Sequence, residues 1–170
     1  IICSGDAGIY AMGALVFELL ARDSENGGVS AMAQRVDVVS APGISALQAA
    51  AARSGAILGH DFCTISLSDL LTPWQQIDTR IHAAGKGDFV IAFYNPVSKR
   101  RRIQLALARD ILLQYRNAET PVLLASNLGR PDEALKFRTL GRLDIDEVDM
   151  LTVVMVGSSA SRMLDLGRKK

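Results

Sequence analysis

The sequence predicts an α/β protein in two parts, and three observations lead there. Apolar strand-like runs alternate with helical stretches, a pattern that implies parallel strands joined by crossovers. A short glycine loop, SGDAGIYAMG from Ser4 to Gly13, connects the first of those runs to the first helix. Past Gly59 the pattern changes, and a short charged strand late in the chain calls for an antiparallel neighbour, which makes the second sheet mixed.

The elements are justified in order. Ile1-Ile2-Cys3 reads as a strand, and Ala11, Ala14, Leu15, Phe17, Leu19 and Leu20 form a broad apolar helix that stops at the turn-forming run Asp23 to Gly28. Val36 to Val39 is a second strand, Ala41-Pro42-Gly43 a turn, and Ile44 to Arg53 an alanine-rich helix. Two strands are too few for an independently stable parallel sheet, so a preceding N-terminal piece is expected. The handover falls near Ser54 to Gly59: residues 1–56 are the C-terminal part of a first α/β domain, whose parallel sheet is only partly represented, and residues 57–170 form a second domain. In that second domain Phe62 to Leu67 is a strand, Trp74 to Ala84 a helix, and Phe89 to Tyr94 a strand stopped by Asn95-Pro96. Arg101 to Tyr115 is a helix, and Pro121 to Ala125, Lys136 to Thr139 and Leu151 to Val156 are strands, the middle one antiparallel.

Composition narrows the function classes. With 49% hydrophobic residues the 170-residue chain can bury a real core. Its 19 basic and 18 acidic residues leave a net charge of +1, and no basic stripe is interleaved with aromatics, which argues against nucleic acid. No apolar run approaches the ~20 residues of a membrane span, and the protein is read as cytoplasmic. Cys3 and Cys63 lack metal-ligand spacing and are expected to be buried, reduced packing residues, so no metal is expected. His82 reads as surface and Trp74 as packing at a helix start.

The glycine loop carries the chemistry. A phosphate cradle would add the lysine of GxxxxGK[ST], and a dinucleotide loop would read GxGxxG. SGDAGIY has neither, and Asp6 puts a carboxylate where a phosphate would otherwise sit. A carboxylate repels anions and accepts hydrogen bonds from hydroxyls and amines, so a neutral or partly cationic ligand such as S-adenosylmethionine suits the loop. The plainer reading is that Gly5 and Gly8 supply unusual backbone angles while Asp6 caps the following helix.

Five stretches in order, SGDAGIYAMG, APGISALQAAAARSGAILGHDF, ISLSDLLTPW, GDFVIAFYNPVSKRR and VDMLTVVMVGSS, resemble the tetrapyrrole (precorrin) methylase family. The resemblance covers nearly the whole chain and is closest to the precorrin-3B C(17)-methyltransferase branch. It implies a two-domain tetrapyrrole methylase fold, usually a homodimer, using S-adenosylmethionine and releasing S-adenosylhomocysteine. The cofactor contacts it implies are Ser4, Gly5, Asp6, Ile9, Ser45, Ala46, Tyr94, Asn95, Asn127, Leu128 and Thr152. Ala7 replaces the proline of the usual GDPG, and the family's N-terminal strand with its GxGPG loop has no counterpart in these residues.

The implied reaction is methyl transfer to C-17 of precorrin-3B with ring contraction to precorrin-4, in cobalamin biosynthesis. Sister readings are methylation of cobalt-factor III in the anaerobic route and non-catalytic binding of a tetrapyrrole or adenosyl ligand. Ring contraction moves protons, for which Asp6, His60 and Asp61 are catalytic candidates; Asp69 is a further titratable group and a substrate-contact candidate. A tetrapyrrole's carboxylates would also suit Arg100, Arg101 and Arg102 in the SKRRR run, which otherwise reads as a solvated helix start.

Overall fold

The computed structural model describes residues 1–165, which divide into two compact units, residues 1–46 and 47–165. Each is described by itself.

The first unit holds α1 (Gly13–Ala21) and two short 3-10 turns, Ser24–Asn26 and Ala33–Arg35. The expected strands at Ile1 to Cys3 and Val36 to Val39 are not strands here; both segments are extended coil with mostly exposed side chains. Apolar character reports a tendency to be buried, whereas a strand exists only where its backbone groups meet a partner ladder, and neither segment has one among the described residues.

The second unit starts its helices with α2 (Ala46–Ser54), so the alanine-rich helix belongs with the residues that follow it. It continues with β1 (Phe62–Ser66), α3 (Trp74–Lys86), β2 (Val90–Tyr94), α4 (Gln104–Leu112), β3 (Pro121–Ser126), β4 (Ala134–Thr139) and β5 (Thr152–Val156). The five strands make one mixed sheet in the order β1-β2-β5-β3-β4. β1 and β2 are parallel, and β5 runs antiparallel to both β2 and β3, so β1, β2 and β3 all point the same way. β4 pairs antiparallel with β3, as its sequence requires.

Periodicity explains the packing. In α3, Trp74, Ile77, Ile81 and Ala84 recur at the spacing of one helix face, and in α4 Leu105, Ala108, Ile111 and Leu112 do the same. Those faces join alternate strand residues, Ile65, Ile91, Phe93, Val122, Leu124, Val154 and Val156, in one core. The intervening residues Ala92, Leu123, Ala125 and Met155 are buried as well, which is why β2, β3 and β5 read as unbroken apolar runs. The edge strand β4 is different: Lys136 and Arg138 project from it and pair with Glu147, charges that discourage further strand addition.

Helix α4 begins at Gln104, three residues later than expected. Ser98 and Arg101 exchange backbone hydrogen bonds in both directions, at 2.7 and 3.2 Å, which closes residues 98–101 into a tight turn and uses the groups a helix would need.

Candidate functional site

Two sets of sequence-selected residues occupy the two units. In the first unit the glycine loop is tied to the Pro42-Gly43 turn by Asp6. One carboxylate oxygen accepts the Gly8 N–H at 2.8 Å and the other accepts the Gly43 N–H at 2.9 Å. These bonds hold the carboxyl below its ordinary range, the Gly43 amide contributing most and the Gly8 amide next. Asp6 therefore does not cap α1, whose N-cap is Met12. Two glycines allow this closeness. Gly5 takes a left-handed φ of +80°, and a Cβ on Gly43 would lie 2.1 Å from the Gly5 carbonyl oxygen. Ser4 and Gly5 are exposed, Ile9 is half-buried, and Ser45 and Ala46 follow the turn. Beside the loop runs a groove of about 550 Å³ lined by Ile1, Cys3, Gly5, Ala7, Phe17 and Val38, among others.

In the second unit the candidates gather at one edge of the sheet, where β1, β2 and β3 end and β5 begins. In open α/β sheets this carboxyl edge is where ligands bind. Tyr94 closes β2, and its hydroxyl accepts the Leu47 N–H of α2 at 3.0 Å. Asn95 follows in a left-handed conformation, φ +50°, with its side-chain amide donating to Ser66 Oγ at 3.0 Å. Asn127 repeats the geometry after β3, at φ +52°, its N–H donating to the Leu151 carbonyl at 3.1 Å. Leu128 beside it is half-buried. Thr152, opposite Ser126 at the start of β5, is buried and donates its hydroxyl to Asp149 at 2.7 Å.

Asp69 lies beyond β1 at the same edge and accepts the side-chain amide of Gln104 at 2.8 Å. The three arginines diverge. Arg100 is exposed, and Arg102 is exposed and pairs with Asp146 at 2.6 Å. Arg101 is only 7% exposed, and its guanidinium is spent on the protein itself.

His60 and Asp61 are not brought to this edge. Both are exposed and precede β1, so they sit at its opposite end, and the Asp61 carbonyl accepts the Val90 N–H where β2 begins. Five residues of strand separate the two edges, roughly 16 Å at 3.3 Å per residue. Among the titratable candidates of this unit, Asp69 alone lies at the carboxyl edge.

Sequence reasoning passed over Ser66, Ser68 and Gln104, which hold the candidates in place; only the alternation Ser66-x-Ser68 before Asp69 hinted at them. His82 sits on the outer face of α3 with Nδ1 2.8 Å from the Tyr115 hydroxyl, and Trp74 packs on the core. Cys3 and Cys63 are free but only half-buried, less enclosed than expected; burial pushes the Cys63 thiol up against the opposing pull of Arg116. Among the described residues no three His, Cys, Asp or Glu side chains are grouped to hold a metal ion, and no helix is long and apolar enough to cross a membrane.

Residues 1–144 match the family described as Tetrapyrrole (Corrin/Porphyrin) Methylases. The chain belongs to the tetrapyrrole methylases. Among its relatives, a probable cobalt-factor III C(17)-methyltransferase of Salmonella typhimurium is 47% identical over 97% of the chain, and a precorrin-3B C(17)-methyltransferase of Sinorhizobium is 42% identical over 96%. The crystal structure of the methyltransferase CobJ superposes with a TM-score of 0.86 at 39% identity, covering 96% of this tetrapyrrole methylase chain. The chain spans 65%, 62% and 65% of the lengths of these three proteins. At 18% identity and a TM-score of 0.57, a uroporphyrin-III C-methyltransferase of Thermus thermophilus, solved with S-adenosyl homocysteine, shares the fold.

Proposed function

We propose that this tetrapyrrole methylase acts, as part of a full-length homodimeric protein, in S-adenosylmethionine-dependent methylation at C-17 of a cobalamin precursor, with contraction of the ring. The supporting observation is the identity, above 40% along nearly the whole chain, to relatives named for C(17) methylation. The donor set agrees with the cofactor. The Asp6 oxygens each retain a lone pair for hydroxyls or an amine, and the left-handed residues Asn95 and Asn127 turn the chain away at the ends of β2 and β3, opening the edge to a ligand.

S-Adenosylmethionine supplies an already activated methyl group, so the protein's work is positioning and exclusion of water. The Ser4 to Ile9 loop, with Ser45 and Ala46, is proposed to bind the cofactor, and Tyr94, Asn95, Asn127, Leu128 and Thr152 to orient it. Asp69, held by Gln104, is proposed to contact the substrate and to accept or return a proton during ring contraction. The exposed Arg100 and Arg102 are free of the core and suited to a carboxylate rim.

A metal-free precorrin-3B and a cobalt-bound substrate are both compatible with this edge. Relatives named for cobalt-factor III are 47%, 46% and 36% identical and bracket the 42% of the one named for precorrin-3B, so identity favours neither form. Incubating the full-length protein with methyl-labelled S-adenosylmethionine and each substrate tests both readings. Label in the tetrapyrrole product is expected with one of them, and no label with either overturns the proposal. Replacing Arg100 and Arg102 together by glutamine should raise the tetrapyrrole KM more than tenfold and leave S-adenosylhomocysteine affinity unchanged.

A further inference from the structure

We propose that Arg101 is a positioning residue that locks Tyr94 and Asn95 in their ligand-ready geometry by tying the end of β2 to the end of β1. The inference rests on the reading of the carboxyl edge as the cofactor edge. It assigns Arg101 a role different from that of a substrate contact.

The geometry is that of a fork across two loops. One terminal nitrogen of Arg101 donates to the Asn95 carbonyl at 2.7 Å, and the other donates to Ser68 Oγ at 3.2 Å, with Asp69 at 3.9 Å balancing the charge. The planar guanidinium can serve both loops at once from fixed angles, which a lysine ammonium cannot. Its carrier is rigid too, because the Ser98/Arg101 bridge closes the turn on which it stands.

Asn95 needs such a lock. A left-handed φ of +50° is uncommon for a residue with a Cβ, and Asn95 is held there from two sides, by its own amide on Ser66 and by Arg101 on its carbonyl. Tyr94 is fixed by the same pair of strands, its carbonyl accepting the Leu67 N–H at 2.9 Å. At 7% exposure Arg101 is unable to serve a large external anion.

A matched control exists within the same sheet. Arg116 is 6% exposed and likewise donates to backbone carbonyls, of Gly157 at 2.5 Å and of Phe89, but it does so where β2 begins and β5 ends, away from the proposed cofactor edge. The experiment compares Arg101→Ala, Arg101→Lys and Arg116→Lys in the full-length protein, measuring S-adenosylhomocysteine affinity by calorimetry alongside Tm. Both arginine sites should lower Tm. Only the Arg101 variants should weaken the ligand, more than tenfold for alanine and by a smaller factor for lysine. Ligand affinity within twofold of wild type in Arg101→Ala overturns the inference, as does an equal loss in Arg116→Lys. If Arg101→Ala does not fold, Arg101→Lys decides, a loss under twofold counting against. Wild-type protein that fails to bind S-adenosylhomocysteine overturns the cofactor reading first, and the inference with it.

Discussion

The two units of this chain hold their shape by different means. Residues 47–165 are organised by a sheet and two helices around a continuous apolar core that includes Phe93, Leu105, Leu124 and Val154, all essentially inaccessible. Residues 1–46 are held locally: Asp6 gathers two loop amides, glycines let the backbones approach, and α1 has no fully buried residue. Ile1, Ile2, Met32 and Val39 in that unit are each more than 80% exposed. Among the described residues, burial follows facing surfaces: the sheet supplies them to residues 47–165, and residues 1–46 have none within these 170 residues.

The comparison can be broken most sharply at Phe93. Phe93→Ala should cost about 3–5 kcal/mol in urea unfolding, since a 1% exposed aromatic leaves a cavity that close packing cannot refill. Ile2→Ala, at full exposure, should stay within about 0.5 kcal/mol in the same experiment. Equal effects would erase the distinction between the units.

A smaller effect is expected at Arg116, where burial lowers the pKa of a guanidinium that still serves carbonyls of three segments. Arg116→Met should destabilise by on the order of 3 kcal/mol, because the buried carbonyls lose a charged donor. A neutral outcome would mean that the core alone sustains the second unit.

Asp6 sharpens the other side through pH. Its folded pKa lies below the unfolded one, so its contribution is complete above the ordinary carboxylate range and is lost as pH falls through the depressed value. Amide exchange protection at Gly8 and Gly43 should hold from neutrality down through the ordinary carboxylate range and fall only below it. Asp6→Asn should flatten that dependence. Retained protection of both amides at low pH would show that the loop does not depend on the carboxylate.

A small change is also expected at Arg102. Its pair with Asp146 is exposed on both sides, and Arg102→Gln should shift stability by less than about 1 kcal/mol, an effect that vanishes at high salt.

Much of the second unit was legible in its residues. The unbroken apolar runs of β2, β3 and β5, the i, i+3, i+7 faces of α3 and the charged edge strand β4 each follow from local periodicity, and their bounds shift by only a residue or two. The start of α4 was not legible, because the Ser98/Arg101 turn competes with helix through hydrogen bonds that pattern does not reveal. The same limit applies at Ile1 to Cys3 and Val36 to Val39, whose composition suits a strand but whose backbone meets no ladder here.

By itself the sequence determined the alternation of elements, the family and the identity of the residues at the ends of β2 and β3, since these depend on spacing along one chain. Tertiary structure decided which of those residues share an edge. Inserting β5 between β2 and β3 sets the direction of every strand, and with it the placement of Tyr94, Asn95, Asn127 and Thr152 together and of His60 and Asp61 at the far end. It also turned Arg101 inward between neighbours that set it apart from Arg100 and Arg102, although the three are adjacent and chemically identical. The physical reason is that strand order and burial are fixed by contacts between distant segments, and local composition carries no record of which partner a segment will meet.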